Sequence, residues 1–355
     1  MISGNLFIPT EIYCEENCVE KYGGLMGRYG RKALIVTGKH SSRVNGSFYD
    51  VTGALEKSGV EYVVYDDIEE NPSTETVMKA RNFGIDNNVD FVVGVGGGSP
   101  LDASKAIAMM IANPGKDADV LYVAEKLDAI PVVAVPTTAG TGSEVTPYSI
   151  LTIHKMRTKQ SISHRIFPVL ALLDYRYIKT QSGDGIINTA VDTLAHLVES
   201  FLNTNSNECN RLYSKEGMRL FSEYKDALVQ GVYSDEDFSR MMYASMLGGM
   251  SISHTGSSLP HGLSYMVTYE TGEAHGRACG RYLGKYVKMY EEQDKKETEK
   301  VMELLGFAST DAFAEYLEGL LKLKELPEGM DEANWNAIKN NKAKLKNYPY
   351  ADTLV

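Results

Sequence analysis

Five short runs of almost unbroken apolar, largely β-branched residues constrain this chain more than any other feature of its sequence. They are Ala33–Thr37 (ALIVT), Glu61–Asp66 (EYVVYD), Asp90–Val95 (DFVVGV), Val132–Pro136 (VVAVP) and Leu170–Asp174 (LALLD). A strand with one wet face alternates apolar and polar residues. A strand apolar at successive positions must bury both faces, as in a parallel sheet covered by helices. Residues 73–88 and 101–112 between these runs carry helical periodicity. Strand–helix alternation of this kind predicts βαβ units and a Rossmann-like, doubly wound parallel sheet. Beyond about residue 180 the strand pattern stops. Helical patterns follow at 184–203, 209–229, 235–253, 276–292, 297–305, 309–323 and 331–344. The chain therefore divides into an α/β domain over 1–178 and an all-helical domain over 179–355.

Charge and cysteine content narrow the function. Of 355 residues, 36 are Lys or Arg and 47 are Asp or Glu, a net charge of −11 with no basic run. This argues against nucleic acid or an anionic membrane as the partner. No apolar stretch is long enough to span a bilayer, and residues 1–18 lack the pattern of a signal peptide. The four cysteines, Cys14, Cys18, Cys209 and Cys279, are too few for a disulfide scaffold. Cys14 and Cys18 have no second pair to complete a metal site. The expectation is a cytoplasmic protein with reduced thiols.

Two loops at strand ends offer ligand chemistry. The run Asp90–Val95 leads into Gly96-Gly97-Gly98-Ser99-Pro100-Leu101-Asp102-Ala103-Ser104-Lys105. Ser99 fits a helix N-cap, Pro100 the first helical position, and Asp102 stands three residues after the cap. Glycines there let a diphosphate approach the backbone, and the free N–H groups of the helix start can hold its charge. The run lacks the spacing of a G-x-G-x-x-G fingerprint or a Walker loop, so a tight turn without a ligand is the competing reading. After Val132–Pro136 comes Thr137-Thr138-Ala139-Gly140-Thr141-Gly142-Ser143-Glu144-Val145-Thr146, rich in hydroxyl donors. It too lies at a strand C-terminus, where open α/β sheets bind ligands.

The helical half contains Asp192-Thr193-Leu194-Ala195-His196, then Pro260-His261-Gly262 and Ala274-His275-Gly276. Asp192 and His196 are four apart and share a helix face. With His261 and His275 they make one carboxylate and three imidazoles, a donor set for a divalent ion. The chain has seven histidines, and spacing alone leaves each of these three free to be structural.

Taken together, these segments are identified as those of the iron-containing (group III) alcohol dehydrogenase family. Glu70-Asn71-Pro72-Ser73, Gly96–Lys105, Pro136–Tyr148, Asp192–Glu199 and His261–His275 carry the resemblance, which spans essentially the whole chain. It implies a dinucleotide-binding α/β domain followed by an all-helical metal-binding domain, the dehydroquinate-synthase-like fold. It places the metal on Asp192, His196, His261 and His275. It places the diphosphate on Gly97, Gly98, Ser99 and Asp102. Thr137, Thr138 and Thr141 then surround the coenzyme, with Thr146, Tyr148 and Lys159 further along and Asn71 near the adenosine. The implied activity is hydride transfer between NAD(P) and a small primary alcohol, diol or corresponding aldehyde. A metal acts as Lewis acid, Fe(II) by the family's name and Zn(II) as the alternative. A glycerol-dehydrogenase-like enzyme, a dehydroquinate-synthase-like enzyme and a non-catalytic coenzyme-binding relative are the competing readings.

Three features separate this chain from the common pattern. Tyr265 stands where many members have a histidine four residues after the third ligand, which makes it the candidate proton-relay residue. Ala190 replaces a glycine, and the sequence at Lys346–Val355 differs from relatives that continue into a helix. The first strand ends Thr37-Gly38-Lys39-His40-Ser41-Ser42-Arg43, without the carboxylate that usually holds an NAD ribose. Gly38 leaves room for a 2′-phosphate, Ser41 and Ser42 can donate to it, and Lys39 and Arg43 supply charge. NADP(H) is therefore expected in preference to NAD(H). Asn5–Tyr13 reads as a short strand, and the resemblance implies that it pairs across a two-fold axis in a homodimer or dimer-based oligomer.

Overall fold

A computed structural model of the chain describes residues 4–341 and 345–354. By internal contacts they divide into two compact units, Ile8–Gln181 and a second that joins residues 4–7 to those from Ser182 onward.

The first unit is built on a six-stranded, wholly parallel sheet. Its strands are β1 (Glu11–Cys14), β2 (Lys32–Thr37), β3 (Glu61–Tyr65), β4 (Phe91–Gly96), β5 (Val132–Pro136) and β8 (Leu170–Leu173), in the order β1-β8-β5-β4-β2-β3. A separate antiparallel hairpin, β6 (Ile150–Ile153) with β7 (Thr158–Ser161), falls between β5 and β8. The helices of this unit are α1 (Cys18–Tyr22), α2 (Ser41–Val44), α3 (Ser47–Lys57), α4 (Thr74–Asp86) and α5 (Gly98–Ala112).

Side chains along each strand alternate between two cores, as the period of two requires. From β2, Leu34 and Val36 enter the core shared with Val77 and Ala80 of α4 and with the Ala103–Met110 face of α5. Ala33 and Ile35 enter the opposite core with Val51 and Leu55 of α3 and Val19 of α1. Both faces are thus covered, which is why these strands are apolar throughout.

The second unit is helical: α6 (Gly183–Phe201), α7 (Arg211–Gln230), α8 (Asp235–Thr255), α9 (Leu259–Thr271), α10 (His275–Glu291), α11 (Lys295–Leu305), α12 (Thr310–Leu321) and α13 (Met330–Lys339). The sequence pattern misses α9. Its segment, LPHGLSYMVTYET, is poor in helix-forming residues. Pro260 in its first turn was the available signal. The helix expected over 331–344 ends at Lys339, and residues 342–344 of that expectation lie outside the described residues.

Two further expectations are corrected. The extended segment Asn5–Tyr13 is a strand only from Glu11; this β1 is an edge strand of the sheet, parallel to β8 with Glu11 opposite Leu170. The helix after β4 begins two residues earlier than a Ser99 cap would allow. Gly97 is its N-cap and Gly98 its first residue, so Ser99 and Pro100 lie inside the first turn. No helix among the described residues is long and apolar enough to cross a membrane.

Candidate active site

The coenzyme-type loops interlock through small contacts. Gly96 has φ +150°, and a Cβ there would lie 2.6 Å from Pro100 Cγ. A Cβ on Gly97 would meet Thr138 Cγ2 at 3.0 Å, and one on Gly98 would meet Thr141 Cγ2 at 2.6 Å. The β4–α5 turn and the loop after β5 therefore pack directly on each other, and these glycines are needed for that approach. The result is an α5 N-terminus whose first N–H groups can receive an anion.

Buried polar side chains hold this arrangement. Asp102 Oδ1 accepts from Ser143 Oγ at 2.5 Å and its Oδ2 from Ile150 N at 2.8 Å. Lys105, fully buried, donates to Ser143 Oγ and to Tyr148 O, both at 2.7 Å. Burial pushes the Lys105 ammonium down to about 8, although Asp102 opposes this, and pushes the Glu144 carboxyl up to about 7. Asp102 thus braces the loops, with both carboxylate oxygens occupied. Lys105, quoted in the glycine-loop motif but given no role there, ties α5 to the second loop. Thr137 and Thr146 are buried, and Thr138 and Thr141 are half-buried.

Asn71 sits in the left-handed region at φ 57°. Its N–H donates to Ser99 Oγ at 3.0 Å, and its Oδ1 accepts from Lys159 Nζ at 2.7 Å. Asn71, expected near the adenosine, is therefore joined both to Lys159 and to the β4–α5 turn.

At the end of β2 the structure adds charges that sequence order conceals. Lys39 pairs with Asp67 at 2.7 Å, and Arg43 pairs with Asp66 at 2.8 Å. Ser41 is exposed, whereas Ser42 is buried and accepts from Thr37 Oγ1 at 2.8 Å. Gly38 is half-buried, with Ile68 O 3.4 Å from where a Cβ would stand.

In the helical unit the donor atoms of Asp192, His261 and His275 come within 4.8 Å of one another together with that of Cys279, a grouping that does not include His196, which lies beside it. Ser182 caps α6 by accepting from Gly185 N at 3.1 Å. Asp192, His196 and Glu199 lie on the buried stretch of this helix, at spacings of four and three. From Asp192 Oδ1 the distances to the Nε2 atoms of His196, His261 and His275 are 3.9, 3.4 and 3.8 Å. His196 stacks on His261 with centroids 4.6 Å apart.

The helix starts that carry His261 and His275 are both capped from α6. Glu199 Oε1 accepts from Ser258 N at 3.0 Å and from His261 N at 3.1 Å, satisfying donors at the start of α9. Its Oε2 accepts from His261 Nδ1. Nδ1 is thereby engaged by Glu199, which leaves Nε2, on the side of Asp192, as the nitrogen available to a ligand. Asn188 Oδ1 accepts from Arg277 N at 3.0 Å in the first turn of α10. A Cβ at residue 276 would stand 1.9 Å from Asn188 O, so only glycine lets α10 start there. Glu199 was not singled out from sequence, although it stands seven residues after Asp192 on the same helix face.

This donor set suits a divalent cation. Asp192 Oδ1 and His261 Nε2 are buried and have no hydrogen-bond partner. Leaving such atoms unsatisfied is costly unless a ligand engages them. Burial opposes the charge on Asp192, yet His196 and His275 hold its carboxyl well below the usual range. Burial likewise opposes charge on His261, while Cys279, Glu199 and Asp192 raise its pKa well above the usual imidazole value. The centre therefore favours positive charge. Cys279 lies among these donors, a residue absent from the expected set.

Tyr265 is half-buried and stacks on His275, centroids 5.8 Å apart at 21°. His254 lies elsewhere in the fold, its Nδ1 on Met250 O at 2.7 Å and its Nε2 accepting from Phe7 N at 2.9 Å.

A parallel sheet with a glycine turn at a helix N-terminus, together with a helical unit that gathers Asp192, His261 and His275 with His196 beside them, is the arrangement of a metal- and dinucleotide-binding class. Residues 9–175 match the model of iron-containing alcohol dehydrogenases, and residues 186–343 match that of the C-terminal part of the same family. The chain belongs to the iron-containing alcohol dehydrogenase family. An iron-containing alcohol dehydrogenase structure from Thermotoga maritima superposes with a TM-score of 0.89 at 35% identity, over 99% of this chain and 97% of that one. A long-chain primary alcohol dehydrogenase from Thermoanaerobacter ethanolicus is 31% identical over 65% of this chain and 59% of its own length. An NAD-dependent methanol dehydrogenase from Bacillus methanolicus is 29% identical over 74% of this chain and 70% of its own. Members of this family bind NAD(P) and a divalent metal.

The doubly anchored Glu199 carboxylate yields a prediction. Glu199→Gln keeps the shape but weakens the acceptor that orients His261. It should lower divalent-metal affinity about 10- to 100-fold. Metal titration checks this, and an unchanged affinity would remove Glu199 from the site.

Proposed function

We propose that this chain is a metal-dependent NAD(P)-linked alcohol dehydrogenase or aldehyde reductase acting on small primary alcohols, diols or their aldehydes. The observation that carries the reading is the pair of buried atoms without a hydrogen-bond partner, Asp192 Oδ1 and His261 Nε2, 3.4 Å apart with His196 and His275 alongside. A cation bound by these four side chains supplies Lewis acidity to a carbonyl or alcohol oxygen, and a nicotinamide supplies or accepts the hydride. The protein's contributions are orientation and protonation state. Glu199 fixes the His261 tautomer. The β4–α5 turn, with Gly97, Gly98 and Ser99, presents backbone donors to a diphosphate, and Thr138 and Thr141 pack against it. Asn71 and Lys159 form a bonded pair for the adenosine side.

Tyr265 is the proposed hydrogen-bond donor to the substrate oxygen. Burial pushes its hydroxyl up to about 12, so it stays protonated through neutral and mildly alkaline pH and acts as a donor, not a base. The proposed metal is iron, with zinc as the alternative that the donor set equally accepts.

For the coenzyme we propose a preference for NADP(H), with NAD(H) also used. Gly38 and the carboxylate-free β2–α2 turn support it. Asp66 and Asp67, which neutralise Arg43 and Lys39, limit its size. We propose a homodimer or dimer-based oligomer, supported by the edge position of β1 and the exposed Leu6 and Phe7.

Aldehyde reduction by metal-loaded protein, assayed across a panel of small aldehydes, tests the central reading. Wild type should turn over, and His261→Ala should lose activity yet still bind coenzyme. Full activity in that variant would overturn the metal assignment, and coenzyme binding without turnover on any aldehyde would favour the non-catalytic reading. Tyr265→Phe should slow reduction about three- to tenfold without moving the pH profile. An unchanged rate would leave Tyr265 as packing.

Wild type should show a higher kcat/KM with NADPH than with NADH. Asp67→Asn frees Lys39 and should raise that ratio about two- to fivefold. A wild type that favours NADH, or a ratio unmoved by the substitution, would refute the strand-end argument. Light scattering should give the mass of at least two chains, and the mass of one would exclude the dimer.

A further inference from the structure

Ser264 lies on α9 one turn after His261 and is fully buried. Its hydroxyl donates to His261 O at 2.8 Å. A buried helical serine that bonds back to a carbonyl of the preceding turn is ordinary, and Ser104 and Ser253 do the same in α5 and α8. Ser264 differs in having a second polar group within reach. The Nδ1 of His275, the first residue of α10, stands 3.4 Å from its Oγ.

Proton counting sets the roles in this contact. A hydroxyl has one proton and two lone pairs. A carbonyl oxygen can only accept, so the Ser264 proton goes to His261 O. Toward His275 the same oxygen then acts only as an acceptor. The group that satisfies it is an N–H on Nδ1, and a neutral imidazole with its proton there has its lone pair on Nε2. Nε2 is the nitrogen on the side of Asp192, 3.8 Å from Oδ1. The Cys279 thiol makes no such distinction, since its Sγ is 3.9 Å from Nδ1 and 3.8 Å from Nε2. The arrangement repeats that of the other imidazole, where Glu199 engages Nδ1 of His261 and leaves Nε2 toward Asp192. One turn of α9 thus carries both His261 and the hydroxyl that orients His275.

We propose that Ser264 is a positioning residue for the metal centre, its hydroxyl holding His275 with the proton on Nδ1 and Nε2 presented to the ion. The inference rests on the reading of Asp192, His196, His261 and His275 as a metal site. Ser264 supplies no ligand atom and acts through His275. Its contact is neutral and long, whereas that of Glu199 with His261 is made by a carboxylate. Loss of Ser264 therefore costs less metal affinity than loss of Glu199.

Zinc alone is the probe. It is added to the metal-free, full-length protein with isotopically labelled histidine rings, for wild type, Ser264→Ala and His261→Ala. Affinity is read by competition with a chelator. The ring nitrogens are read by long-range proton–nitrogen correlation spectra, with His275→Gln identifying the His275 signals. Wild type should bind one zinc, with His275 protonated at Nδ1 and bonded through Nε2. Ser264→Ala should still bind one zinc, about three- to tenfold more weakly. Its His275 Nδ1 resonance should shift while those of the remote His254 hold. A wild-type His275 protonated at Nε2 overturns the proposal. So does an unmoved Nδ1 resonance in Ser264→Ala, because weaker binding on its own marks packing. An unchanged affinity in that variant overturns it as well. No zinc uptake by wild type, or uptake undiminished in His261→Ala, overturns the metal site itself and the positioning role with it. Far-ultraviolet circular dichroism confirms that each variant is folded.

Discussion

The carboxylate of Glu199 is the interaction on which the metal centre depends. It is completely buried and accepts from two backbone N–H groups and one imidazole. A buried anion with no such donors would be strongly unfavourable. Here the start of α9 supplies the N–H groups, and α9 has no side-chain cap of its own. The helix end and the carboxylate therefore satisfy each other. The same contact sets the direction in which His261 presents its free nitrogen. Because Glu199 shares α6 with Asp192 and His196, one rigid helix fixes three positions, and Asn188 on the same helix holds the start of α10.

The α/β unit uses a different device for the same end. Its loops are irregular, so rigidity comes from close backbone approach and from buried charge. Gly97 and Gly98 touch Thr138 and Thr141, and below them Lys105 and Asp102 share Ser143. Lys105 and Asp102 stand 3.7 Å apart. The remaining oxygens and protons are taken up by Tyr148 O, Ile150 N and Ser143, which makes the buried pair tolerable. An α5 N-terminus held this way presents its N–H groups without reorganising when an anion arrives.

The sequence pattern revealed the parallel sheet because both faces of β2, β4 and β5 are buried, a condition written directly into composition. Most of the helical unit was legible because its helices are long and strongly periodic. α9 was not, since a segment containing Pro260, Gly262, Thr268 and Thr271 becomes helical through its capping by Glu199 and its packing against α10. Spacing makes Asp192, His196, His261 and His275 candidates, two from one helix turn and two before glycine, and the family resemblance is what singles them out as one set. Glu199 and Cys279 were not, because a carboxylate behind a histidine and a thiol beside one have no spacing signature separate from ordinary helix faces. The Ser99 cap failed for a related reason. Gly97 is extended at φ −75° and ψ −164°, and that backbone, not a side chain, decides where α5 begins.

The end of β2 shows why local sequence misreads charge in a parallel sheet. Residues 38–43 carry two cations and no carboxylate, which by itself describes a phosphate-accepting surface. In a doubly wound sheet, however, the C-terminal ends of neighbouring strands lie side by side. β3 pairs with β2 from Lys32 opposite Glu61 to Val36 opposite Tyr65, and the register carries Asp66 and Asp67 to the level of the β2 turn. Arg43 and Lys39 meet them there. The 2′-phosphate of the proposed NADP(H) would therefore compete with carboxylates for both cations, whereas ribose hydroxyls would face no such competition. These pairs are solvent-exposed, and exposed ion pairs are weak enough to be exchanged for a phosphate. Under the proposed coenzyme reading, selectivity would be set by the difference between two ion-pair states across adjacent strands, and not by the identity of one residue at the end of one strand.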